Sequence, residues 1–154
     1  MFFNPFRRQE IPVPDLTPHQ FQRSVAERSQ SALNPSEWRV RSPGRKKYLK
    51  PGREPVVLCP DLHIAERRQG GKAIVLDAKD FKHTPLNRNE VDTTDEYRKR
   101  TRASHAVLAV SPDTKVPQSV HDHVVRIGRM TILPVDNKFE DRLVALAKKV
   151  RRTG

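Results

Sequence analysis

Hydrophobic and polar positions change period several times along the chain, and each change marks an element. Thr17-Pro18-His19-Gln20 supplies a helix start, with a hydroxyl N-cap, proline at the first helical position and glutamine in the capping-box position. Phe21, Val25 and Ala32 then share one side of a helix running to about Leu33, closed by Asn34-Pro35. "WRVR" (38–41) alternates as a short strand. "PVVLCPDLHIAER" reads as a second strand, "RQGGK" as a turn, and "KAIVLDAKDF" as the antiparallel partner. Residues 84–92 read as a loop, and Thr93 to Glu96 as a capping box opening a helix that ends near Ala103. "HAVLAV" (105–110) is a continuous apolar run suited to a strand buried on both faces. Pro117 to Ile127 is helical in pattern, with Gly128 placed to end it, and "MTILPV" is a further strand. From Asn137, the stripe Phe139, Leu143, Leu146, Ala147 and Val150 marks a terminal amphipathic helix.

The predicted order is αβββαβαβα. Antiparallel strands come first and helix-separated strands follow, which makes a mixed sheet with flanking helices, α/β at the border with α+β. At 154 residues the chain is expected to form a single domain over 17–152. The prolines at 5, 12 and 14 make residues 1–16 an extended N-terminal arm.

Composition narrows the function. Thirty Lys and Arg against 18 Asp and Glu leave a formal charge of +12, which favours a polyanionic partner, nucleic acid before an anionic membrane. Cys59 is the only cysteine, so neither an internal disulfide nor a cysteine zinc cluster can form. No apolar run approaches the roughly 18 residues that a transmembrane helix needs. The start "MFFNPFRRQEIPVP" lacks the apolar core of a secretory signal, and a cytoplasmic workplace is expected.

The apolar strand from Ala73 to Leu76 runs directly into Asp77, Ala78 and Lys79. Residues two apart on a strand share a face, so a carboxylate and an ammonium point the same way. A three-residue loop Gln69-Gly70-Gly71 pairs Arg68 with Lys72, setting His63 opposite Asp77 and Asp61 opposite Lys79. A Gly-Gly loop would shift the register by one and send Asp61 to the other face. The three-residue loop is preferred because it gathers the hydrophilic side chains. Two carboxylates on neighbouring strands are hard oxygen ligands suited to Mg²⁺, with Mn²⁺ as a substitute. A metal there acidifies a bound water and neutralises charge on a phosphoryl transition state, while Lys79 orients that water or stabilises the developing charge.

Pro60-Asp61, followed after a short hairpin by Asp77-Ala78-Lys79, resembles the signature of the PD-(D/E)xK nuclease superfamily. That superfamily includes restriction endonucleases, archaeal Holliday-junction resolvases and several toxin nuclease domains. The similarity covers roughly residues 17–135, while the literal motif is five residues. It implies a restriction endonuclease-like fold, Asp61 and Asp77 as metal ligands, and Lys79 as the catalytic lysine. Many members add an acidic residue from the first helix, and Glu27 in "VAERSQ" matches that role. The expected activity is a Mg²⁺-dependent phosphodiesterase, foremost a DNA endonuclease, since most such relatives cut DNA. Two alternatives stand beside it: a toxin domain delivered to a target cell, where it cuts tRNA or DNA, and a non-catalytic basic nucleic-acid-binding protein. A homodimer is natural if both strands are cut.

Residues 39–53 carry seven cations and no acid before Glu54, and Arg39, Arg41, Arg45, Lys46 and Lys47 are the candidates to grip phosphates. Arg98 and Arg102, on the helix that follows Glu96, have a similar claim. Expected partners are therefore DNA over RNA, without a membrane.

Overall fold

The computed structural model describes residues 18–42, 46–48, 56–58, 61–80 and 84–153. Among these the chain is mixed α/β, a five-stranded mixed sheet with four helices. The helices are α1 (Pro18–Ala32), α2 (Arg88–Thr101), α3 (Gln118–Ile127) and α4 (Phe139–Arg152). The sheet contains β1 (Trp38–Arg41), β4 (Leu62–Glu66), β5 (Ala73–Lys79), β6 (His105–Val110) and β7 (Met130–Pro134), side by side in that order. β1, β4 and β5 are antiparallel neighbours, whereas β6 and β7 continue parallel to β5 through helical crossovers. A separate two-stranded ribbon pairs β2 (Lys46–Tyr48) with β3 (Val56–Leu58).

Alternation along the strands sorts side chains into two cores. Ile74, Leu76 and Ala78 of β5 meet α1 and α4 on one face, through Phe21, Val25, Phe139 and Leu143. Val75 of β5 and Leu108 of β6 meet α2 and α3 on the other, through Val91 and Val120. The central strand β5 is thus buried on both faces, as an apolar run demands. α1 buries Phe21, Val25 and Ser29, each four residues from the next, and Ala32 sits beside this stripe rather than within it. On α4, Phe139, Leu143, Ala147 and Val150 form the buried stripe, with Leu146 at its edge. Arg28 ties the two helices together: its Nε donates to Glu140 Oε2 at 2.8 Å and its guanidinium lies over the Phe139 ring.

Three expectations are corrected. The run from Pro55 to Arg67 is not one strand, because β3 pairs in the ribbon and β4 begins only at Leu62. Proline has no amide hydrogen to give a ladder, and Pro60 stands between the two halves. α2 starts at Arg88, five residues before the Thr93 expected to cap it, so residues 88–92 are helical and not loop. Asn87 is the cap, its side chain accepting the Glu90 backbone N–H at 3.0 Å. Thr93 and Thr94 instead return their hydroxyls to the carbonyls of Asn89 and Glu90 one turn back.

The hairpin register is the third. Ala65 lies opposite Ala73 and Leu62 opposite Leu76, while Glu66 N donates to Lys72 O. Residues 67–71 therefore form a five-residue connection in place of the expected three, with Gly70 at φ +70° and the Gly71 amide bonded to Arg68 O. His63 faces Val75 across the pair, not Asp77. The shift from expectation is two residues, an even number, so every side chain keeps its face. The proposed arm at 1–16 and the cap Thr17 lie outside the described residues, as do Arg45, Cys59 and Pro60.

Candidate active site at the end of the central strand

Continued one step beyond Leu62, the observed register sets Asp61 directly opposite Asp77. Asp61 Oδ2 accepts the Ala78 amide at 2.6 Å, which anchors that carboxylate to the β5 backbone. Its carboxyl acts on that of Asp77 across the strand pair. Asp77 is buried, at 3% exposure, on the α2 side of the sheet, and its Oδ2 has no hydrogen-bond partner. Lys79, two residues on and facing the same way, holds Nζ 3.6 Å from that atom, an ion pair too long for a hydrogen bond.

The electrostatics follow from this crowding. Burial, then the hydrogen bond and charge of Asp61, push the Asp77 carboxyl up to about 8, with Lys79 opposing. Burial by itself would lower the Lys79 ammonium, but the negative field of Asp77, Glu90, Tyr97 and Asp61 outweighs it and raises the pKa. The two shifts compete, since a protonated Asp77 deprives Lys79 of its foremost partner. Two adjacent carboxyls, one nearly dry, require a proton or a cation between them.

Glu90 and Tyr97 enter here without having been expected. They lie seven residues apart, two turns on one side of α2, and both act on Lys79. The sequence signal was the Asn87-to-Glu90 spacing, which has the same form as the box at Thr93, but an assumed loop over 84–92 hid it.

The other candidates are placed differently. Glu27 is exposed on α1, which packs on the Ile74–Leu76–Ala78 face, so the structure does not bring it to Asp77 and Lys79. Arg39 and Arg41 are exposed on β1, opposite Ala65 and His63 of β4 and hence on the same face as those residues. His63 lies on the Asp61 side of β4. Arg98 is largely buried and ion-paired with Asp95 at 2.8 Å, whereas Arg102 is exposed at the α2 C-cap. Lys46 and Lys47 are strand positions of the ribbon.

No protein-family model, curated protein or solved structure matches the chain. No helix among the described residues is long and apolar enough to cross a membrane.

A divalent cation suits the donors at Asp61 and Asp77. Mg²⁺ takes one or two carboxylates and fills the rest of its shell with waters and phosphate oxygens. Asp77 Oδ2 accepts no hydrogen bond and has Lys79 Nζ at 3.6 Å, and the carboxyl lies beside that of Asp61, an arrangement that further positive charge relieves. No cluster of three or more His, Cys, Asp or Glu suited to a metal occurs among the described residues.

Proposed function

We propose that the protein is a Mg²⁺-dependent phosphodiesterase with a restriction endonuclease-like fold, and that DNA is its substrate. The observation that carries this reading is the placement of Asp61, at the start of β4 and bonded to the Ala78 amide, beside Asp77 of β5, with Lys79 3.6 Å from the buried carboxyl. An antiparallel meander that continues through a helix into a parallel strand, with one carboxylate just before its second strand and one on its third, supports the resemblance drawn from Pro60-Asp61 and Asp77-Ala78-Lys79.

In this reading Asp61 and Asp77 hold the ion. Bound there, Mg²⁺ supplies positive charge beside a phosphate oxygen and a more acidic water. The Ala78 amide fixes the Asp61 carboxylate, and the β5 backbone fixes Asp77, so neither needs to reorganise. Lys79, kept protonated by its acidic surroundings, offers a charged donor to the oxygen on which charge accumulates. Arg39 and Arg41 stand exposed on the flank of the sheet to contact the phosphate backbone. The net +12 raises the local concentration of substrate.

Supercoiled plasmid incubated at low salt with Mg²⁺ or with EDTA tests the proposal. Nicking or linearisation that requires the metal, and disappears in both Asp77→Ala and Lys79→Ala, is the expected result. Plasmid, structured DNA and tRNA that are all retarded but left intact would make the protein a binder and the Asp77–Lys79 pair a structural ion pair. Cleavage of tRNA alone, with toxicity on expression suppressed by Asp77→Ala, would make it a toxin domain.

A further inference from the structure

A second cationic cluster lies at the opposite end of β5. A cavity of about 270 Å³ opens between the starts of β5 and β6, the α3–β7 turn and the last turns of α4. Lys72, Arg129 and Lys149 line it, together with Ser104, His105, Thr153 and the apolar Leu146 and Val150, and among the described residues no carboxylate does. Among the described residues none of these three cations has an ion-pair partner. Many other cations of the fold do, including Arg28, Arg98, Arg100, Arg142 and Arg151. Lys72 Nζ donates to Thr153 Oγ1 at 3.5 Å, which holds it at the rim. Burial, then Lys149 and Arg98, push His105 down to about 4, so its imidazole adds hydrogen-bonding capacity and no charge at neutral pH.

Basic residues at helix C-termini commonly do no more than offset the macrodipole, and α3 and α4 both end here, at Gly128 and Thr153. Magnitudes separate the two roles. Each helix end presents roughly half a negative charge, so the pair amounts to about −1 against three full cations. A surplus of about two positive charges remains at the cavity, which matches a phosphate group at neutral pH, about −1.5 to −2 as a monoester.

The geometry points to a phosphate-binding site formed by Lys72, Arg129 and Lys149, taking the phosphate of a nucleotide or a nucleic-acid strand. It lies roughly 23 Å along β5 from Lys79, at about 3.3 Å per residue. It does not rest on the reading of Asp61 and Asp77.

Calorimetric titration of the full chain with inorganic phosphate, in metal-free buffer at low ionic strength, tests it. One saturable site is expected, weakened about tenfold or more in Lys149→Ala and in Arg129→Ala, and unchanged in Lys148→Ala, whose side chain is exposed outside the cavity. Circular dichroism confirms that each variant is folded. Absence of saturable uptake, or equal affinity in the Arg129→Ala/Lys149→Ala double variant, overturns the site. Two oligonucleotides of one sequence, with 5′-phosphate or 5′-hydroxyl ends, then separate the sources. A tenfold preference for the phosphorylated end, lost in Lys149→Ala, assigns a terminal monoester. Equal binding of both, weakened alike by Lys149→Ala, assigns the backbone diester. Indifference of both strands to Lys149→Ala overturns the nucleic-acid assignment.

Discussion

Replacing Asp77 with asparagine keeps the side chain's shape and removes its titration, which makes the cost of the buried carboxyl measurable. Burial, followed by the hydrogen bond and charge of Asp61, holds this group at about 8, against its ordinary 3.8. Below about pH 4 the folded and unfolded chains both carry the proton, and the associated stability is whole. As pH rises, the unfolded chain releases the proton while the folded one keeps it, so stability falls by about 1.4 kcal/mol per pH unit. The loss is complete once pH passes the folded value near 8. Over the whole window the upper bound is roughly 6 kcal/mol, and even half of that is a large share of the 5–15 kcal/mol typical of a domain. Metal-free urea unfolding of both proteins, followed by circular dichroism from about pH 5 to about pH 8, gives the difference directly. Glu66, Asp136 and Glu140, whose pKa values are lowered, act in the opposite direction but cancel between wild type and variant. Asp77→Asn should gain on the wild type by about 1 kcal/mol for each pH unit. A difference independent of pH, or one that turns toward the wild type as pH rises, refutes the account of Asp77.

The same carboxyl pair should respond to metal: near pH 8, Mg²⁺ should raise the Tm of the wild type and leave Asp77→Asn unmoved, because only ligand bound to the folded state stabilises it. Equal shifts in the two proteins would place binding elsewhere. Lys79→Met should reduce cleavage about a hundredfold or more while plasmid retention is kept, and a parallel loss of retention in gel shifts would make Lys79 a binding residue. Gly71→Ala should destabilise by about 1–3 kcal/mol in chemical denaturation, since an added Cβ would meet Glu66 Cβ at 2.6 Å and Arg68 O at 2.8 Å. Arg28→Ala should cost about 1 kcal/mol, and a double-mutant cycle with Glu140→Gln should assign most of it to that pair.

Local pattern was sufficient wherever one element decides its own outcome. The α4 stripe from Phe139 to Val150, the Gly128 stop and the doubly buried run from Ala106 to Val110 follow from period and apolarity, which neighbouring elements do not alter. The placement of Asp77 and Lys79 on a single face follows in the same way, from the two-residue period of a strand. Partner-dependent features were not legible. The start of α2 turned on whether Asn87 or Thr93 capped it, two signals of equal form that the packing of Val91 at 0% exposure distinguishes. Glu90 came to Lys79 as a consequence. The turn at 67–71 set the register, and its glycines permit more than one loop length. Sequence by itself therefore determined which strand residues share a face, whereas the tertiary structure decided that Asp61 meets Asp77 and that Glu27 faces away. Period is a property of one strand's backbone, but distance between strands depends on a turn, a register and the helices laid over the sheet.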